Sequence, residues 1–302
     1  MGAIAIIQIV GDVQTVLSTL TSRSMWEPSN LYLVDIPGID EAVAVQIDDQ
    51  IAHIMPHGGV HIIRKLAERF EELEVVEVTS PQFPEAGNAI EAQMLLALSV
   101  AESPLAVELL LAQPARLHSA ARTSTDDARA QILNHLITPP KVVLLGAPNT
   151  GKSTLMNALT KQDTSIVHEL PGATRDAVGA RINCGGLVLH LYDLPGFRDT
   201  DDAIEQEAIA IAKKIAQDAT LTILIADAEH EWISNHENNT PSIRVATKAD
   251  CKNREDADIC VSALTGENLQ QLALIIRDAI VPPAVLQDDG PWFFSGYRPT
   301  QE

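Results

Sequence analysis

Aromatic residues make up only 4% of this 302-residue chain, basic residues number 21 against 41 acidic ones, and there are three cysteines. Each scarcity excludes something. Cys184, Cys251 and Cys260 are an odd number without a CxxC pair, so neither a disulfide framework nor a zinc site is expected. The formal net charge of -20 is spread along the chain, with 7 basic and 18 acidic side chains in residues 1–140 and 14 and 23 thereafter. Such a field repels polyanions, which argues against generic nucleic-acid binding and against an anionic membrane surface, while leaving room for a small anion held by a few local donors. No apolar run is long enough to span a bilayer. The opening MGAIAIIQIVGD lacks a basic lead-in, so it reads as a strand and not a signal peptide, and a cytoplasmic, reducing setting is expected. What the chain does have is 46% hydrophobic residues, enough for a sizeable core, and a length that suggests two domains.

The pattern changes at Thr138-Pro139-Pro140, a breaker followed at once by the β-branched run KVVLLG. Beyond it, strands alternate with helices. VVLLG (142–146) leads into a helix KSTLMNALT (152–160), followed by strands RINC (181–184) and LVLHLYD (187–193) and a helix around 204–216. Then come strands LTILIAD (221–227), SIRVAT (242–247) and DICVSA (258–263), and a last helix from Glu267 to Ala279. This order predicts an α/β domain over 139–281, a mostly parallel sheet with helices on both faces, with a tail over 282–302. Upstream, GAIAIIQIV, LYLVDI and AVAVQI read as strands, the last two paired about a Pro37-Gly38 turn, and HIIRKLAERFEE (61–72) is an amphipathic helix. Residues 1–84 are therefore expected to form a small α+β domain, and 85–138 a helical connecting segment in which Ser103 caps a helix opening at Pro104.

One motif carries chemistry by itself. Gly146-Ala-Pro-Asn-Thr-Gly151-Lys152-Ser153 fits G-x-x-x-x-G-K-[ST], and it falls between a strand and a helix, where a phosphate loop must lie. Its glycines let successive backbone N–H groups wrap a polyphosphate at a helix N-terminus. Lys152 would reach the β/γ oxygens and Ser153 would offer its hydroxyl to Mg2+. Asp193-Leu-Pro-Gly196 closes the strand 41 residues past Lys152, placing a carboxylate for Mg2+ and an N–H of Gly196 for a γ-phosphate. Thr247-Lys248-Ala-Asp250 follows another strand. Asp250 can accept from both donors of guanine, Lys248 can lay its stem over the base, and a carboxylate left unpaired rejects adenine. Ser262-Ala263-Leu-Thr-Gly ends the last strand, where a backbone N–H would meet guanine O6. In the loop LPGATRD, Thr174 is the candidate for a second hydroxyl on Mg2+.

In this order, GAPNTGKSTLMNAL, PGATRD, DLPGFRD, TKAD and SAL resemble the P-loop G domain of the TrmE/MnmE-type tRNA-modification GTPases, within the Era-like group. The resemblance covers 141–281 well; upstream, GAIAIIQIVG is similar to the family's opening strand and HGGVHIIRKLAE (57–68) to its HGG-plus-helix segment, giving a TrmE-N-like first domain. It implies GTP and GDP as ligands, bound through Asn149, Thr150, Gly151, Lys152, Ser153, Thr154, Thr174, Asp193, Gly196, Thr247, Lys248, Asp250, Ser262 and Ala263. It further implies Mg2+ on Ser153, Thr174 and Asp193, K+ on Asn149, and a homodimer through G domains or N-domains. With Lys152 and Gly196, the family's catalytic glutamate, 12 residues past Asp193, falls on Glu205, which would orient the attacking water. Phe197 follows Gly196, so no Ras-like glutamine is present.

Departures from the family are equally specific. Its folate-binding arginine and glutamate correspond to Gln8 and His53 and no NGK stretch occurs, which speaks against folate; DLPG stands where DTAG is usual; and the tail GPWFFSGYRPTQE has no cysteine. Three functions follow: a Mg2+-dependent, K+-activated GTPase; a nucleotide-dependent module with negligible hydrolysis whose acidic first domain recruits an unidentified protein; or tRNA wobble-uridine modification with a partner enzyme. His53, His57 and His61 recur every fourth residue, but Pro56-Gly58-Gly59 breaks a helical metal ladder. Trp292, Phe293, Phe294 and Tyr297 form either an interaction stripe or a patch packed onto the first domain.

Overall fold

The computed structural model describes residues 4–77, 82–117, 123–162, 178–194, 214–233 and 240–294. They fall into two compact units, Met1–Gln82 and Phe83–Glu302.

The first unit is a four-stranded antiparallel sheet in the order β1 (Ile7–Val10), β4 (Ile51–Met55), β3 (Asp40–Gln46), β2 (Leu31–Ile36). The β2–β3 hairpin pairs Ile36 with Asp40 across Pro37-Gly38, in keeping with the turn expected there. Alternation then decides which face is buried: Val34, Ile36, Ala42, Ala44, Ala52 and Ile54 point to one side and meet helices α1 (Val13–Leu20) and α2 (Val60–Glu72) through Leu17, Leu20 and Leu66. Two of these elements escape the pattern reading. β4, IAHIM, is only five residues long, and α1, VQTVLSTL, is rich in β-branched residues that favour strands. It is helical because Asp12 caps it, accepting from Thr15 N at 3.3 Å, and because Val13, Leu17 and Leu20 fall on its buried side. The three histidines lie on β4, on the loop after it and on α2, and the His57 ring is 3.0 Å from Asp40.

In the second unit, six strands run in the order β10 (Ile259–Cys260), β9 (Ser242–Ala246), β8 (Leu221–Ala226), β5 (Lys141–Gly146), β7 (Leu187–Asp193), β6 (Val178–Cys184). All pairs are parallel except β6–β7. β5 is buried over nearly its whole length, as a central parallel strand must be. Helices α7 (Lys152–Gln162) and α8 (Leu269–Ile280) contribute Leu155, Leu159, Leu272 and Ile276 to the same core. The chain leaves β5 toward β7 on one side and later returns to β8 on the other, so the crevice beyond the carboxyl end of β5 is a topological switch point, the place where open α/β sheets bind ligands.

The helices before the sheet, α3 (Ala89–Val100), α4 (Leu105–Leu111), α5 (Gln113–Leu117) and α6 (Ser124–Leu133), share its core through Met94, Ala97, Leu110 and Leu133. Ser103 does not cap α4 by its hydroxyl. That oxygen accepts from Val188 N at 3.0 Å and so ties the segment to β7, while Ser103 O accepts from Ala106 N. The aromatic tail follows neither expected course. Trp292, Phe293 and Phe294 are buried within this second core, and Tyr297 lies outside the described residues. Trp292 N donates to Gln113 Oε1 at 2.7 Å and its Nε1 to Asn134 Oδ1 at 3.2 Å. The buried Arg129 guanidinium donates to the carbonyls of Asp288, Gly290 and Pro291. After α9 (Pro283–Leu286), the chain is thus fastened across α5 and α6. No described helix is long and apolar enough to cross a membrane.

Candidate functional site

At the end of β5 the chain turns sharply into α7, and two glycines make the turn possible. A Cβ on Gly146 would sit 2.3 Å from the Ile225 carbonyl oxygen on β8, an overlap no side chain tolerates. Gly151 has φ +89°, a region L-residues rarely enter. Asn149 between them also has φ +64°, and asparagine is among the residues that accept this at least cost. Thr150 is fully buried, its hydroxyl donating to Ala147 O at 2.8 Å. We expect Gly146→Ala to force β5 and β8 apart, at a cost of about 1–3 kcal/mol. Its melting temperature should fall and nucleotide binding should be lost together; an unchanged melt would contradict the close packing at this turn.

The loop is folded back on its own lysine. Lys152 Nζ donates to Gly146 O at 2.9 Å and to Ala147 O at 3.1 Å, so the ammonium sits inside the turn. One residue on, Ser153 Oγ donates to Asp193 Oδ2 at 2.5 Å. Asp193 ends β7, which runs parallel to β5 with Leu144 beside it, and this register brings the carboxylate to the start of α7. A hydroxyl and a carboxylate in contact are hard oxygen donors suited to Mg2+. Thr154 is exposed in the first turn of α7 and Asn149 is exposed at the tip of the loop.

A second cluster faces the loop from β8, β9 and β10. Thr247 Oγ1 donates to Thr150 O at 2.5 Å, locking the turn after β9 to the phosphate loop. Lys248 has φ +58°, and its Nζ donates to Asn149 O at 3.0 Å and to Asp227 Oδ2 at 2.6 Å. Asp250 Oδ1 accepts from Ser262 Oγ at 2.6 Å; that hydroxyl holds the carboxyl below its usual range, so it stays ionised and accepts only. Ser262 is buried and its own backbone N–H donates to Glu267 O at 3.2 Å. Its part is therefore to orient Asp250 through the side chain, leaving Ala263, half-buried beside it, as the nearer backbone candidate for a base carbonyl. The Cys251 thiol lies 3.5 Å from Asp250 Oδ2, a contact that pushes the thiol up.

The structure thus brings together Asn149, Thr150, Gly151, Lys152, Ser153 and Asp193 at one end of the crevice and Thr247, Lys248, Asp250, Ser262 and Ala263 at the other. Thr174, Gly196 and Glu205 lie outside the described residues. One residue with no role assigned from the sequence is Asp227, just past β8, with a side chain only 4% exposed. Burial would raise its pKa, but hydrogen bonds from Lys248, from the His230 ring and from Glu229 N hold it far below the usual carboxylate range. The one available signal was an acidic residue closing the wholly buried strand LTILIA.

A family profile described as 50S ribosome-binding GTPase matches residues 141–254. The tRNA modification GTPase MnmE of Acidiphilium cryptum is 32% identical over 274 residues, covering 89% of this chain and 59% of that relative. MnmE of Bartonella henselae is 44% identical over 131 residues, covering 42% and 30%. Among solved structures, Aquifex aeolicus Era bound to GDP·AlF4− overlaps with a TM-score of 0.38 at 24% identity, covering 54% of this chain and 62% of that one. The G domain of the T. maritima FeoB iron transporter overlaps at 0.34 and 27%, covering 46% and 98%. A phosphate loop at the switch point of a mostly parallel sheet, with this sequence match over it, places the second unit in the P-loop G-domain fold class. Within that class the chain is similar in sequence to tRNA modification GTPases named MnmE, and it spans about three fifths of the length of the first of them.

Proposed function

We propose that the chain binds Mg2+-GTP at residues 146–153 and hydrolyses it to GDP and phosphate. The observation that carries this reading is the 2.5 Å contact between Ser153 and Asp193, because it joins the two oxygen donors expected on Mg2+ at the edge of a loop whose lysine already faces inward. Mg2+ would neutralise charge on the β- and γ-phosphate oxygens. The residues of this chain supply the rest: loop N–H groups and Lys152 bind the phosphates, Thr174 and Asp193 complete the metal shell, and Asp250 selects guanine. Glu205 would orient water for in-line attack, and Asn149 would hold K+, which would supply positive charge toward the phosphates. Catalysis on this account is positional and electrostatic, with no covalent intermediate.

K+ activation in this reading goes with pairing of two copies through their G domains or their N-domains, so turnover is predicted to rise with protein concentration in K+ and to stay low in Na+. Equal rates in the two salts would remove the Asn149 assignment. Glu205→Ala should lower turnover by about 10²-fold with GTP affinity nearly intact. Nucleotide binding without measurable turnover under any of these conditions would favour the nucleotide-dependent interaction module instead. The tRNA modification named for the relatives would, in this chain, require a partner enzyme. The folate-binding pair of the family is replaced, and the Gln8 amide is already committed: it donates to Gln82 O at 2.7 Å, accepts from Gln82 N at 2.6 Å and lies 3.0 Å from His53. These residues do not fit a folate.

A further inference from the structure

Among the described residues, Asp227 touches none of the groups expected on phosphate or metal, yet it is the most heavily bonded carboxylate beside the site. Its Oδ1 accepts from Glu229 N at 3.0 Å and His230 N at 3.1 Å and lies 2.6 Å from His230 Nδ1, and its Oδ2 accepts from Lys248 Nζ at 2.6 Å. A buried carboxylate so engaged has one orientation. Its own backbone is fixed as well: Arg254 donates to the carbonyls of Asp227 at 2.8 Å and His230 at 2.5 Å, pairs with Asp256 at 2.7 Å, and lies over the Trp232 ring at 4.6 Å. The Lys248 ammonium is pinned at two points, to this carboxylate and to the phosphate loop at Asn149 O. Its head is thus anchored while its backbone is held at φ +58°, and 48% of the side chain is exposed.

We propose that Asp227 is a positioning residue for guanine-nucleotide binding. It holds the Lys248 ammonium in place before the ligand arrives, so that the stem stands as a preformed apolar wall for the purine ring. A lysine stem is otherwise flexible, and ordering it on binding weakens affinity; here that ordering is completed during folding. The inference rests on the guanine-nucleotide reading above and deepens it. Asp227 acts through Lys248 and not on the base edge, which belongs to Asp250. Its loss should therefore weaken guanine and hypoxanthine nucleotides by the same factor.

The test is a double-mutant cycle on the full chain, read by titration with mant-GDP. Asp227→Asn should weaken binding by about ten-fold, the scale of one charge-assisted hydrogen bond. Its mant-GDP to mant-IDP affinity ratio should stay that of the wild type. In a Lys248→Met background, which keeps an unbranched stem without the ammonium, Asp227→Asn should add less than about two-fold, since the two act as one unit. His230→Ala should cost about two- to three-fold in the wild type and nothing in the Lys248→Met background; this pair carries the same cycle if Asp227→Asn fails to fold. An equal penalty in both backgrounds, no penalty in the wild type, or a changed base ratio would each overturn the positioning role. A wild-type chain that ignores mant-GDP would instead overturn the guanine reading on which it stands.

Discussion

Asp250→Asn is expected to turn the site from guanine to xanthine nucleotides. The Asp250 carboxylate, kept ionised by the Ser262 hydroxyl at 2.6 Å, offers acceptors only. Guanine presents two donors on the matching edge, its ring N–H and its exocyclic amine. Asparagine keeps the shape but brings an NH2 group against that amine, donor facing donor. Xanthine carries a carbonyl at the same place, and the mismatch becomes a hydrogen bond. A site built around hydrogen-bonding groups rejects a mispaired ligand strongly, so GTP should weaken by on the order of 10²-fold or more while XTP gains. Competition of GTP, XTP and ATP against a fluorescent diphosphate measures this. A variant that still prefers GTP would place base selection on another residue.

The second large effect is predicted for Lys152→Ala. Lys152 Nζ lies 2.9 and 3.1 Å from the Gly146 and Ala147 carbonyls, inside the turn that a polyphosphate would fill. Two charge-assisted hydrogen bonds to phosphate oxygens, at about 1.5–3 kcal/mol each, correspond to roughly 10²–10⁴ in affinity for the triphosphate. Charge that grows on those oxygens during transfer is also left unmatched, so single-turnover hydrolysis should fall by at least about 10³-fold. Wild-type hydrolysis by this variant would contradict the phosphate-loop assignment.

Much of the second unit could be read from the chain because a central parallel strand has to be apolar on both faces. LVLHLYD, LTILIA and KVVLLG fall at β7, β8 and β5 with little displacement. The phosphate loop could be read because its spacing is fixed by backbone geometry, with a glycine needed against Ile225 O and another at positive φ. Features that depend on distant residues meeting were not legible. Asp227 and Lys248 are 21 positions apart and join only because β8 and β9 are neighbours in the sheet. The stretch from Ser262 to Gly266 pointed to a backbone donor without saying which; the Ser262 N–H goes to Glu267 O and its hydroxyl orients Asp250. The destination of the tail aromatics was equally hidden, since Gln113, Arg129 and Asn134, which receive that segment, carry no pattern that points to it. In the first unit, α1 is helical against the preference of its β-branched residues, through its Asp12 cap and its packing on the sheet.

The most direct test is a titration of the purified full-length chain with mant-GTP in Mg2+, followed by displacement with GTP, GDP and ATP. The account predicts saturable binding, released by GTP and GDP and untouched by equal concentrations of ATP. No binding, or displacement by ATP as effective as by GTP, would contradict it.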